Sequence, residues 1–175
     1  MLYYIHGYLS GPDGTKGELF KKELNAIPIK YRDVEPEDLI ISDCLNEIKE
    51  VIKFDSDPIL IGSSLGGFLS VKTAMNMKIH NLILINPALI PPSVDISTLN
   101  GMPQNIFQEM YDTNIFTSKI DTDITILVGT NDKVVPNEWS IEFAKSQEAK
   151  IYFYNDDHRF SNYINDLPGI IRKLI

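Results

Sequence analysis

Ser64 stands at the centre of Gly62-Ser63-Ser64-Leu65-Gly66, a G-x-S-x-G pattern placed directly after the apolar run 58–61 and directly before a stretch with helical spacing. A serine in that setting is a nucleophile elbow. The sharp strand-to-helix turn thrusts the hydroxyl into a cleft, and Gly62 and Gly66 leave room where a side chain would collide with the neighbouring strand or helix. The five-residue pattern alone is weak, and its strand-and-helix context is what gives it weight.

A hydroxyl is a poor nucleophile until a base takes its proton, and the base needs an acid to hold its tautomer and stabilise the imidazolium. Of the three histidines, His158 lies in the polar loop Asn155-Asp156-Asp157-His158-Arg159-Phe160, after the last apolar run and near the C-terminus. His6 ends the first run, in His6-Gly7-Tyr8, and His80 precedes a run, at the wrong edge of any sheet, so it reads as a surface residue. For the acid, Asp132 in Gly129-Thr130-Asn131-Asp132-Lys133-Val134-Val135-Pro136 stands just past the carboxyl end of the run 124–128, the edge at which open α/β sheets carry active sites. Asp121 and Asp123 precede that run, and Asp156 and Asp157 are too close in sequence to His158 for an easy approach to its ring. The competing reading has Asp132 only closing a turn or capping the next helix. The order Ser64, Asp132, His158 is the one described for α/β hydrolases.

The elements that must position these residues are legible as short runs rich in Ile, Val and Tyr at 2–5, 27–31, 58–61, 81–85, 124–128 and 150–154. Each has the length of a buried strand, and most are separated by helical spacing. That alternation predicts an α/β domain, a mainly parallel sheet of about six strands covered by helices on both faces. Helices are expected near 15–25, with Thr15 and Glu18 as a capping box, and near 37–53, with Pro36 opening the first turn. Others are expected at 64–78, at 137–147 with Trp139, Ile141, Phe143 and Ala144 toward the sheet, and at 167–174 with Asp166 as N-cap. The segment 88–120 is longer than a crossover needs and carries Ile106, Phe107, Met110, Tyr111, Ile115 and Phe116. It reads either as a small lid or cap over the site or as a piece anchored on the body by those side chains. Residues 1–175 are otherwise expected to form one domain, without repeats or linkers.

A chain of 175 residues, 43% hydrophobic and 23% charged, buries one good core without disulfides or a structural metal. The single cysteine, Cys44, sits among Leu45, Ile48, Val51 and Ile52 and reads as a core thiol in a helix. A net charge of -8 argues against nucleic acid or an anionic membrane surface as partner, and no apolar stretch approaches the ~20 residues of a membrane span. The N-terminus runs straight into Leu2-Tyr3-Tyr4-Ile5 without a signal-like pattern, so a cytoplasmic address is expected. Neither G-x-G-x-x-G nor a P-loop follows the first run, which sets nucleotide binding aside.

Together, His6-Gly7-Tyr8, Gly62-Ser63-Ser64-Leu65-Gly66-Gly67, Asn86-Pro87-Ala88, Gly129-x-x-Asp132-x-x-Val135-Pro136 and Asp157-His158-Arg159-Phe160 resemble a small bacterial α/β hydrolase of the YqiA-type esterase family, over essentially the whole chain. The resemblance implies a three-layer α/β-hydrolase fold and an esterase or thioesterase with Ser64 as nucleophile, His158 as base and then acid, and Asp132 as its orienter. Two departures stand out: Tyr8 occupies a place where such proteins often carry Phe, and the 88–120 insertion offers no motif to transfer.

Two backbone N–H groups are needed at the developing oxyanion. One is expected from Leu65, just after the nucleophile, and one from Tyr8, in a loop shaped by His6 and Gly7. Such donors contribute on the order of 3–4 kcal/mol each. Ser64 would attack an ester or thioester carbonyl, an acyl-enzyme would form, and water would release the acid, with no metal or organic cofactor. The expected partner is a small-molecule ester or thioester, with a homodimer left open. An acyltransferase, peptidase or lactonase could use the same triad, and a non-catalytic binding protein could keep the fold. Because His158 must be neutral to accept a proton, kcat/KM should fall below about pH 6 to 7. A pH profile that stays flat down to pH 5 would contradict that assignment.

Overall fold

The six apolar runs become six strands in the computed structural model, which describes residues 1–175. They are β1 (Leu2–Ile5), β2 (Ile27–Pro28), β3 (Ile59–Ser63), β4 (Asn81–Ile85), β5 (Asp123–Gly129) and β6 (Lys150–Tyr154). All neighbours pair in parallel in the order β2-β1-β3-β4-β5-β6. Seven helices connect or follow them: α1 (Thr15–Leu24), α2 (Ile41–Ile52), α3 (Leu65–Ala74), α4 (Gln104–Met110), α5 (Asn114–Thr117), α6 (Asn137–Gln147) and α7 (Leu167–Arg172). This is the α/β-hydrolase fold in a small form.

The two-residue period of a strand sorts its side chains between two cores. Tyr3, Ile5, Leu60, Leu82, Leu84, Ile126 and Val128 point into the larger core, with Cys44, Ile48 and Ile52 of α2, Phe68 and Leu69 of α3 and Phe143 of α6. Tyr4, Ile61, Ile83, Ile85 and Leu127 point the other way, onto Phe20 of α1 and Leu167 and Ile171 of α7. Burial on both faces explains why the strands read as continuous apolar runs rather than alternating ones. The exceptions are the two edge strands, β2, whose Ile27 is exposed, and β6, whose Tyr152 and Phe153 are exposed.

The long insertion is anchored by its apolar residues. Ile106, Phe107, Met110 and Ile115 are buried in the larger core. Gln147 of α6 holds the segment by its backbone, donating to the carbonyls of Ile115 at 2.8 Å and Ser118 at 2.9 Å and accepting from the Ile120 N–H at 3.1 Å. Lys72 of α3 forms an ion pair with Asp112.

Several local expectations need correction. The N-cap of α1 is Gly14, not Thr15, and no side chain caps it: the Gly14 N–H closes a tight turn onto Gly11 O at 3.1 Å, which leaves Thr15 already inside the helix. Pro36 opens only a 3₁₀ turn over Pro36–Asp38. Leu39 then turns into the core in an extended conformation, so α2 starts at Ile41, whose N–H is taken by the Glu109 carboxylate of α4 at 3.0 Å. The run 27–31 is a strand only over Ile27–Pro28, an edge position that tolerates a residue without an N–H. Asp166 occupies the N-cap position of α7 without a side-chain hydrogen bond. In α6, Phe143 and Ala144 are buried, whereas Trp139 is half-buried against the core and Ile141 is half-buried too.

Two outcomes follow from this packing. Ile106→Ala should cost about 2–5 kcal/mol in urea unfolding, the range for truncating a buried isoleucine; a loss near zero would mean the insertion is not anchored. Burial also pushes the Cys44 thiol up to about 11, so it stays protonated and covered. At pH 8 it should react with a disulfide reagent only as the chain unfolds, and prompt labelling of folded protein would contradict that.

Candidate active site

Parallel strands all end at one edge, and the loops after β1, β3, β4, β5 and β6 meet there. Ser64 occupies the turn between β3 and α3 at φ 55° and ψ -121°, a left-handed conformation that a side chain adopts only under constraint. Its N–H donates to Ile85 O at 3.1 Å, and its carbonyl accepts from Gly67 at 2.9 Å and Ala88 at 3.0 Å. The flanking glycines are required by close approach. A Cβ on Gly66 would lie 2.1 Å from Ile5 O of β1, and one on Gly62 would lie 2.5 Å from Gly66 O and 2.8 Å from Gly67 Cα of α3.

Asp132, just past β5, and His158, in the loop after β6, are joined by a 2.7 Å hydrogen bond from His158 Nδ1 to Asp132 Oδ2. A carboxylate can only accept here, so Nδ1 carries a proton, and in the neutral ring the lone pair is on Nε2. The other carboxylate oxygen of Asp132 accepts from the N–H groups of Val134 at 2.7 Å and Val135 at 2.9 Å. The Asp132 side chain is 1% exposed and that of His158 19%, so the acid is enclosed while the imidazole reaches solvent. No hydrogen bond joins Ser64 Oγ to His158; in unliganded sites this contact is often long.

Asn86, at φ 43° and 2% exposed, ties the nucleophile turn to the histidine loop. Its amide donates to the carbonyls of Asp157 and His158, both at 3.1 Å, and its oxygen accepts from Gly129 N–H at 2.8 Å. Asp156 is fully buried and accepts from the N–H groups of Asp157, Asn162 and Tyr163 at 2.8, 3.1 and 2.8 Å. Asp157 accepts from Arg159 N–H, Ser161 N–H and the Ser161 hydroxyl, which lowers its carboxyl below the ordinary range. Both acids thus spend their oxygens on the loop that presents His158. His80 is exposed on the far edge, beside Asp57 at 3.1 Å.

The loop after β1 closes the other side. His6 is buried and stacked on Tyr31, with ring centroids 4.2 Å apart. Gly7 packs on Ser64, since a Cβ there would lie 3.2 Å from Ser64 Cβ. The Tyr8 N–H makes no hydrogen bond within the protein, and Leu65, as the first residue of α3, has no intrahelical acceptor for its own N–H. Burial lowers His6 to about 4, so its ring is neutral at neutral pH. Tyr31 carried no motif, Asn86 was marked only as part of Asn86-Pro87-Ala88 with no role attached, and Asp156 was weighed only as a partner for the His158 ring.

This fold recurs in solved structures of low sequence identity. Est1E from Butyrivibrio proteoclasticus with ferulic acid bound superposes with a TM-score of 0.81 at 20% identity, covering 98% of this chain and 86% of that one. Alpha/beta hydrolase domain-containing protein 10 from mouse gives 0.76 at 18% identity, with 99% and 88% covered. The monoacylglycerol lipase of Paleococcus ferrophilus gives 0.73 at 16% identity, with 98% and 92% covered. A search of curated proteins returns no match. Residues 1–174 match the uncharacterised protein family UPF0227, the YqiA-type family that the motifs resemble, and the chain belongs to it.

Proposed function

We propose that the protein is a serine esterase or thioesterase acting through an acyl-enzyme on Ser64. The observation that carries this reading is the 2.7 Å bond between His158 Nδ1 and the enclosed Asp132 carboxylate, set at the same sheet edge as a serine in a strained elbow. Membership in the family and a fold shared with a lipase support a hydrolase in general terms.

In the proposed reaction, Nε2 of His158 takes the Ser64 proton as Oγ attacks the carbonyl carbon. The C=O electron pair moves onto oxygen, where the N–H groups of Tyr8 and Leu65 stabilise it. The tetrahedral adduct collapses, and imidazolium returns the proton to the departing alcohol or thiol. Water, deprotonated by His158, repeats the sequence on the acyl-serine and releases a carboxylic acid. Throughout, Asp132 keeps the imidazole in its Nδ1–H tautomer.

The 88–120 insertion is read as the cap of this site. It leaves the sheet beside the nucleophile, where Ala88 N–H reaches Ser64 O at 3.0 Å, and it carries half-buried Val94, Ile96, Leu99 and Met102.

Intact-mass labelling with a fluorophosphonate probe tests the assignment. One adduct on the parent and none on Ser64→Ala is the expected result, followed by turnover of p-nitrophenyl esters or acyl thioesters by the parent only. A folded parent that takes no adduct and cleaves no activated ester would favour a binding protein that merely keeps the hydrolase fold.

A further inference from the structure

The N–H of Tyr8 and the carbonyl of Gly7 belong to one trans peptide, so they point in opposite directions and whatever fixes the carbonyl aims the N–H. Two donors converge on Gly7 O, the Ser10 N–H at 3.2 Å and His6 Nδ1 at 2.9 Å, and the single proton of the Tyr31 hydroxyl is shared between the adjacent carbonyls of His6 at 3.2 Å and Gly7 at 3.4 Å. Since a carbonyl can only accept, the neutral His6 ring carries its proton on Nδ1. Donors on a peptide oxygen also polarise the peptide and strengthen its N–H as a donor at the opposite end.

Arg32 extends this arrangement. Its Nη2 donates to Ser10 O at 3.1 Å, at the far end of the turn, and its guanidinium carbon lies 5.7 Å from the centroid of the Tyr31 ring. The guanidinium makes no ion pair, and its Nη1 is buried without an acceptor. A buried, unsatisfied donor on a cation is costly, and in a chain with 24 acidic and 16 basic residues a carboxylate partner was within easy compositional reach. What the arginine holds instead is a backbone oxygen two residues beyond Tyr8.

We propose that Tyr31 and Arg32 are positioning residues for the oxyanion: Tyr31, with His6, pins the Gly7 carbonyl so that the Tyr8 N–H stays aimed at the substrate oxygen, and Arg32 fixes the far end of the same turn. The proposal rests on the serine-hydrolase reading and assigns two residues that touch neither Ser64 nor His158. It places the oxyanion donor under the control of the short β2 edge, since Tyr31 and Arg32 follow that strand closely.

Tyr31→Phe removes only the hydroxyl and keeps the ring stacked on His6, while Arg32→Met keeps most of the stem and Arg32→Lys restores one cationic donor. With p-nitrophenyl butyrate, Tyr31→Phe and Arg32→Met should each lose roughly ten- to a hundredfold in kcat, less than the hundred- to thousandfold that follows deletion of an oxyanion donor. KM should stay within about twofold, and Arg32→Lys should recover most of the loss. Inhibition by a phenylboronic acid, which becomes tetrahedral and anionic on the serine, should weaken by the same factor as kcat. Unchanged kcat in folded variants, or a kcat loss with undiminished boronate affinity, would overturn the proposal while leaving the esterase reading intact. A parent that neither turns over the ester nor labels with fluorophosphonate would overturn both.

Discussion

The conformation of Ser64 is the constraint from which the rest of the site follows. A non-glycine residue at φ 55° and ψ -121° costs on the order of 1–3 kcal/mol, and it persists only where its surroundings over-determine it. Here the surroundings are specific. The serine N–H is held by β4 through Ile85 O, and its carbonyl is shared between the start of α3 and the peptide of Ala88. Gly66 lets α3 approach β1 so closely that a Cβ there would lie 2.1 Å from Ile5 O and 2.5 Å from His6 O. Parallel pairing of β1, β3 and β4 therefore sets the position of Ser64 as much as the turn itself does. The side chain gains exposure because the backbone cannot relax.

The same logic extends outward through Asn86. Its own φ is 43°, another left-handed residue at the end of a strand, and its amide spans three chain segments at once. One end receives the last N–H of β5, and the other grips the backbone of Asp157 and His158. The histidine loop is thereby registered to the β4 and β5 ends rather than hanging from β6, an edge strand with exposed Tyr152 and Phe153. Asp156 completes the loop from inside. As a fully buried carboxylate it would be prohibitive unless satisfied, and three backbone N–H groups satisfy it while folding the loop into one shape. The site is thus rigid at its base even though His158 itself reaches solvent.

How much of this was legible in the sequence depends on whether the signal was local. The four inner strands were, because burial on both faces writes a continuous apolar run at each of them, and G-x-S-x-G was, because a tight elbow leaves its glycines behind. The starts of α1 and α2 were not. Thr15 and Glu18 have capping-box spacing, yet the turn of Gly11–Gly14 decides where the helix opens, and α2 opens where Glu109 arrives from 68 residues away. Tyr31 was silent, and the role of Asn86 unreadable, for a related reason: each acts through backbone carbonyls of loops remote in sequence, and no spacing rule encodes a hydrogen bond to another segment's main chain. The insertion carried a readable apolar pattern whose target, the larger core, only the tertiary structure reveals.

Asp132 shows why a bland and a sharp reading of one residue need not compete. Its spacing fits an aspartate that closes a turn, and it does close one, with Oδ1 accepting from Val134 and Val135. A carboxylate has a second oxygen, however, and closing the turn fixes the plane in which that oxygen must lie. Oδ2 then meets His158 Nδ1 at 2.7 Å with almost no rotational freedom left to lose. An aspartate on a flexible stretch would have to sacrifice side-chain entropy each time it oriented the imidazole. Held by its own turn and shielded from water, this one is arranged during folding, and its interaction with imidazolium is stronger for the low local dielectric. In the proposed reaction the turn is therefore part of the chemistry it accompanies: the residues from Asp132 to Val135 build the acceptor, and the fold delivers the histidine to it.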